Sequence, residues 1–190
     1  MIKFIYLFEV KSGNFCKKIR GLFLKYYLIL HGCKVGKNLR CLGWPYFRAI
    51  PYKNIEIGNN VSIGKKITFE VTKSGRLILH DFVKLSQDIL INCNSFIELG
   101  AHSGAGENVS IRDSNHGIAK DQNIDYQPII SEPIIIGKDV QISLGCYISL
   151  GSIIADGAFI GAYSIVTKTT KIIEYGIYLG TPPRLIGKRI

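Results

Sequence analysis

"IGKDVQISLGCYISLGSIIADGAFIGAYSIVTK" (residues 136–168) places an apolar residue at every sixth position: Ile136, Ile142, Ile148, Ile154, Ile160 and Val166. A small residue follows each of them, namely Gly137, Ser143, Ser149, Ala155, Gly161 and Thr167. A second small or β-branched set, Val140, Cys146, Ser152, Ala158 and Ser164, keeps the same period. The turn-forming residues Asp139, Gly145, Gly151 and Gly157 stand just before members of that set. A period of six suits neither an amphipathic helix nor a simple two-residue alternation. It suits a solenoid in which each hexad is one short strand and one turn, and three hexads close a triangular coil. The apolar residue then points inward and stacks on its counterpart in the next coil. Small residues serve where the corner is tight and backbone crowds backbone. No coil buries its core alone, so stability is close to a sum over neighbouring coils.

The same phase recurs upstream in pieces: Leu99, Ala105 and Ile111; Leu79, Leu85 and Ile91; Ile57, Ile63 and Phe69. "VGKNLR" (residues 35–40) reads as an isolated early copy, and small insertions separate the runs. One interruption is much larger. After Ile111 comes "RDSNHGIAKDQNIDYQPIISEP" (residues 112–133), and the hexads resume at Ile136. The spacing predicts an extruded loop at about 113–133. Long loops in compact domains tend to carry function. This one opens on Asp113, Ser114, Asn115 and His116. Of the four histidines, His31 ends the predicted helix, and His80 and His102 fall within coils. Only His116 stands where coil meets loop, flanked by polar residues, as either a solvated loop residue or a functional one.

The chain has 190 residues, 47% hydrophobic and 20% charged, which suits one globular domain with an appendage. Its net charge of +10 is unevenly placed. Before residue 54 there are eleven Lys/Arg and one acid, Glu9, and the remainder balances. That segment is either a solvated basic surface or one that faces anionic lipid or an anionic substrate. Five scattered cysteines without a C-x-x-C argue against a zinc ribbon or a disulfide framework and for a reducing cytosol. "GLFLKYYLIL" (residues 21–30) is interrupted by Lys25 and falls short of the ~20 apolar residues of a membrane span. "MIKFIYLFEV" (residues 1–10) is too short for a signal peptide and has no cleavage site. Residues 14–32 read as an amphipathic helix. Ile19, Leu22, Phe23, Tyr26, Tyr27 and Leu30 lie on one broad face, with Lys17, Lys18, Arg20 and Lys25 nearer the other. Such a helix can cap the base of the solenoid or lie on the inner membrane leaflet. The expected division is a basic helical segment (1–34), the solenoid (35–176) and a tail (177–190).

From about residue 35 to 190 the chain resembles the hexapeptide-repeat acyltransferase superfamily, whose members fold as left-handed parallel β-helices, an exception to the usual right-handed crossover. "IGAYSIVTK" (residues 160–168) is similar to the family's I-G-A-G-S-V-V-T-K. Val140-Gln141-Ile142-Ser143 stands where the family has V-W-I-G. "GTPPR" (residues 180–184) resembles its closing G-x-P-A-[KR], which leads into a short helix, with Pro183 in place of alanine. The expected fold is therefore mainly β: a left-handed parallel β-helix with an N-terminal amphipathic helical segment and a short C-terminal tail or helix.

The resemblance implies an acetyltransferase that uses acetyl-CoA as co-substrate, needs no metal and assembles as a homotrimer with sites between subunits. It implies His116 as general base, taking the acceptor's proton and returning it to the thiolate, without an acyl-enzyme. Asp113, Asn115 and Glu132 are the candidates for binding the acceptor or orienting that base. Ser143, Leu144, Ala162, Thr167, Lys168 and Arg184 are the candidates for the donor groove, the last two at the phosphates or adenine. The expected acceptor is a sugar hydroxyl in surface polysaccharide (capsule or O-antigen) biosynthesis. The expected place is the cytoplasm, with peripheral attachment to the inner leaflet through the basic segment and no nucleic-acid partner. N-acetylation of an amino sugar on the same scaffold is the nearest rival. A structural β-helix protein is the non-enzymatic one. A carbonic-anhydrase-like metal protein would need His80, His102 and His116 to converge across subunits.

Overall fold

The computed structural model describes residues 2–190, with side chains described from residue 13 onward. One helix, α1 (Ile2–Leu30), precedes a parallel solenoid of short strands arranged on three faces. The first face stacks Lys34–Val35, Ile55–Ile57, Arg76–Leu79, Phe96–Leu99, Ile134–Ile136 and Ile153–Ile154. The second stacks Arg40–Cys41, Ser62–Ile63, Lys84–Leu85, Gly104–Ala105, Gln141–Ile142 and Phe159–Ile160. The third stacks Tyr46–Phe47, Thr68–Val71, Leu90–Cys93, Ser110–Arg112, Tyr147–Ile148 and Ile165–Val166.

The registers superpose the hexad residues as columns. Ile57, Leu79, Leu99, Ile136 and Ile154 form the first. Cys41, Ile63, Leu85, Ala105, Ile142 and Ile160 form the second. Phe47, Phe69, Ile91, Ile111, Ile148 and Val166 form the third. All are buried except Phe47, which is partly covered. Each stacked Ile or Leu contributes about 1.5–3 kcal/mol of burial. The early copy at Val35 is thus the start of a complete coil that continues through Cys41 and Phe47. The turn residues behave as their positions require. Asp139, Gly145, Gly151 and Gly157 have φ of 52°, 67°, 72° and 70°, in the left-handed region. The small residues after them, Val140, Cys146, Ser152 and Ala158, are buried.

The steps around a coil also show where the chain tolerates insertions. Within a coil, successive core residues are six apart. From the third face to the next coil's first face the steps are Phe47 to Ile57, Phe69 to Leu79, Ile91 to Leu99, Ile111 to Ile136 and Ile148 to Ile154. Every extra residue lies at this one corner, the third corner, and the extruded segment is its largest insertion.

Two expectations about the ends need correction. The helix caps the first coil, but not through the broad apolar face read from the sequence. It docks through Gly21, Leu24 and Leu28, with Tyr27 at the edge, while Ile19, Leu22, Phe23, Tyr26 and Leu30 are exposed. The reason is close approach: a Cβ at Gly21 would fall on the Leu39 carbonyl oxygen, so only glycine lets the helix settle there. At the other end there is no short helix. Gly176–Gly180 adds to the second face beside Phe159–Ile160, and Pro183–Lys188 returns antiparallel to it. Tyr178 continues the core column, buried above Ile160, which favours a strand there over a helix.

Candidate active site

The extruded segment is an arm rather than an irregular loop. Ser114–His116 pairs antiparallel with Ile129–Ser131, and a 3-10 turn, Ile124–Tyr126, lies beyond. The arm's root is closed by the Glu132 N–H donating to the Asp113 carbonyl at 2.9 Å. Its outer part is tied by buried Gln127. That side chain donates to the carbonyls of Ala119 (2.8 Å) and Gln122 (2.7 Å) and accepts from the Ala119 N–H (2.7 Å). His116 and Asn115 are exposed on this arm. Neither side chain has a hydrogen-bond partner among the described residues, so the imidazole is presented to whatever approaches the third corner.

Asp113 sits beneath, fully buried. Its two carboxylate oxygens accept the backbone N–H groups of Asn94 (2.8 Å) and Ser95 (2.7 Å) in the coil below. Beside it, Ser114 Oγ donates to Asn92 Oδ1 (2.9 Å), and Asn94 Nδ2 donates to Ser114 Oγ (2.7 Å). These polar groups bolt the arm to the solenoid. The sequence reading missed Asn92, Asn94 and Gln127; the run "NCN" (residues 92–94) opposite the break was the available signal. Arg112 lies directly above Asn92 in register, and its Nε is sealed from water without a hydrogen-bond partner. Burial pushes the Cys93 thiol well above its usual range, and the Asp113 carboxylate adds to that shift.

Glu132 accepts from Lys168 Nζ at 2.7 Å. Lys168 lies over Gly151, so Glu132, Gly151 and Lys168, from three successive coils, form a stack at the third corner. Thr167 is turned into its own bend, within 2.9 Å of Thr169 Oγ1 and 3.3 Å of Thr170 Oγ1. The remaining donor candidates occupy a different corner, between the second and third faces. There the Ser143 N–H donates to Ile160 O and the Tyr163 N–H donates to Leu144 O, each at 2.9 Å, which stacks Ser143-Leu144 under Ala162. Arg184 is exposed and pairs across the C-terminal hairpin with Leu179, whose side chain lies against Gly161 of this same stack. The structure therefore brings the site residues into two groups. His116, Asn115, Asp113, Glu132 and Lys168 gather at the third corner. Ser143, Leu144, Ala162 and Arg184 gather at the second, with the third face between them. Among the described residues, no three His, Cys, Asp or Glu side chains cluster to hold a metal ion.

No family model matches the chain. A probable acetyltransferase of Mycobacterium tuberculosis is 31% identical over 136 residues, 71% of this chain; the chain spans 44% of that relative's length. A putative lipopolysaccharide biosynthesis O-acetyl transferase of Escherichia coli K12 is 26% identical over 143 residues, covering 71% of this chain and 72% of the relative. An N-acyltransferase from Bacillus cereus, solved with dTDP and 3-hydroxybutyryl-CoA, superposes with a TM-score of 0.72 at 19% identity over 88% of each chain. Hexad columns and one insertion corner make this chain a β-solenoid built on six-residue repeats, similar in sequence to the acetyltransferases named above and in fold to the B. cereus N-acyltransferase.

Proposed function

We propose that the protein transfers an acetyl group from acetyl-CoA to a hydroxyl of a sugar used in surface polysaccharide (capsule or O-antigen) biosynthesis, with His116 as general base. The observation that carries this is the placing of His116: exposed, without a partner, on an arm whose root is fixed by Asp113, Ser114 and Asn92. A hydroxyl is a poor nucleophile toward a thioester unless its proton leaves as it attacks. The neutral imidazole takes that proton while the oxygen adds to the thioester carbonyl. The tetrahedral centre collapses, the C–S bond breaks, and the imidazolium protonates the leaving thiolate. Such a base contributes roughly 10²–10⁴-fold. Asn115 stands next to it for acceptor hydroxyls. Direct transfer fits the four buried thiols: burial raises the pKa of Cys33, Cys41, Cys93 and Cys146, so they are held as poor nucleophiles.

The split between corners supports a homotrimer. In one chain the base and the Ser143–Ala162 stack are separated by the third face. In a threefold assembly the third corner of one copy meets the neighbour's donor groove, and acetyl-CoA lies between them. Ser143, Leu144 and Ala162 then offer backbone groups to the pantetheine arm, and Arg184 and Lys168 serve the phosphates or adenine. Cytosolic acetyl-CoA and reduced thiols fit a cytoplasmic enzyme.

A second reading, N-acetylation of an amino sugar nucleotide, is favoured by the likeness to the B. cereus N-acyltransferase solved with dTDP. One experiment separates them. Release of coenzyme A thiol is followed with a panel of neutral glycans and of amino-sugar nucleotides, and the product is treated with alkaline hydroxylamine. An acetyl ester is cleaved and an amide survives. Thiol release with none of the acceptors above hydrolysis would refute both.

A further inference from the structure

The docked helix leaves one face without a partner. Around α1, the residues opposite Gly21, Leu24 and Leu28 are Phe15, Ile19, Leu22, Tyr26 and Ile29, flanked by Phe23 and Leu30. All seven are exposed, Phe15 by 64%, Phe23 by 65% and Leu30 by 86%. A contiguous apolar surface of this kind marks an interaction site. The roll of the helix is fixed, so the face points outward by construction. Arg20 Nη1 donates to Leu42 O (2.8 Å) and Lys25 Nζ donates to Gly36 O (2.9 Å), pinning these two cations to the first coil.

Charge says what this face meets. Between Glu9 and Glu56 the chain has no acidic residue, and in that interval lie Lys11, Lys17, Lys18, Arg20, Lys25, Lys34, Lys37, Arg40, Arg48 and Lys53. A second copy brought onto this face would bring the same positive charge with it, and the repulsion opposes that pairing. Trp44, Tyr46 and Tyr52, exposed on the first coil, are the residue types that settle at a headgroup boundary. Among the described residues no helix is long and apolar enough to cross a membrane. A helix with one apolar face and a basic border instead lies in the interfacial plane.

We propose that the outer face of α1 seats the protein on an anionic lipid bilayer, the helix lying flat among the headgroups with the first coil toward the lipid. The solenoid then stands with its earliest coil at the membrane and the His116 arm, three coils further on, away from it.

The test is co-sedimentation of the full chain with vesicles of phosphatidylglycerol and phosphatidylcholine in equal parts, and with vesicles of phosphatidylcholine alone. The wild type partitions onto the mixed vesicles at least about tenfold more strongly. Leu22→Glu/Tyr26→Glu, two exposed positions, weakens that binding by about tenfold or more with an unchanged circular dichroism spectrum and melting temperature. Lys17→Gln/Lys18→Gln weakens binding to the mixed vesicles only. The proposal is overturned if the wild type binds both vesicles equally or neither, or if the glutamate variant binds like the wild type. A wild type that ignores vesicles, with a glutamate variant of smaller assembled mass by light scattering, would make the face a contact between copies and also overturn it.

Discussion

Asp113→Asn separates scaffolding from chemistry at the root of the arm. The carboxylate is fully buried and accepts two backbone N–H groups, at 2.8 and 2.7 Å. Asparagine is nearly isosteric but keeps only one acceptor oxygen. Its amide NH2 must face one of the two N–H groups, so one bond is lost and a donor is left facing a donor. A hydrogen bond to a charged group is worth about 1.5–3 kcal/mol. Asn94 and Ser95 are only half-buried, so water relieves part of the penalty and about 2 kcal/mol is the expected cost. For a chain of this size each kcal/mol moves the melting temperature by about 2–4 °C, which predicts a fall of about 4–8 °C. The assay is thermal unfolding by circular dichroism at one fixed protein concentration, beside acetyl transfer at 20 °C. The expected variant melts early yet retains turnover within about tenfold of the wild type, because Asp113 positions the arm and its oxygens serve the backbone. A melting temperature within 1 °C of the wild type, with turnover lost by 100-fold or more, would refute this reasoning and make Asp113 the partner of His116.

Gly21→Ala places a methyl group against the Leu39 carbonyl and lifts the helix from its seat, so limited proteolysis should release the N-terminal segment while the solenoid resists; equal resistance in variant and wild type would contradict that packing. With a soluble disulfide reagent at pH 8, only the exposed Cys16 reacts in the native protein and the four buried thiols react after unfolding; a second fast-reacting thiol would contradict their burial. In acid, Glu56 is held below the usual carboxylate range chiefly by hydrogen bonding to Arg76, and Asp81 chiefly by the Asn59 backbone N–H. A depressed folded-state pKa stabilises above the unfolded value and is lost as pH falls through the folded one, so stability should hold above about pH 5 and decline below about pH 4. A melting temperature that rises on acidification would contradict that sign.

What the sequence made legible follows from where its signals are local. Six-residue spacing is enforced by stacking, so the columns from Ile57 to Val166 fall where the pattern puts them. The insertion corner is legible for the same reason, since an interrupted period marks where the wall is left. The helix face was not legible. Counting apolar residues selects the stripe through Leu22 and Tyr26, whereas docking is decided by Gly21, a residue without a side chain, against a carbonyl far along the chain. Ile172 and Tyr178 keep the six-residue spacing beyond Val166, but the C-terminal strand was hidden because the small residue that follows each earlier core position is lost there: Ile173 follows Ile172 and Leu179 follows Tyr178. At the site, the position of His116 could be read from the break, but not the partners of Asp113. They lie on Asn94 and Ser95, one coil below, and no local pattern joins residues a full coil apart.

Removal of the acceptor's proton by His116 is the step on which the proposed transfer rests. Its most direct test is turnover of acetyl-CoA with a competent sugar acceptor by wild type and His116→Ala, both checked for equal melting temperature. Turnover of the variant should fall by about 10²–10⁴-fold, with the melting temperature unchanged because the exposed ring holds nothing in place. Turnover within a few-fold of the wild type would contradict it.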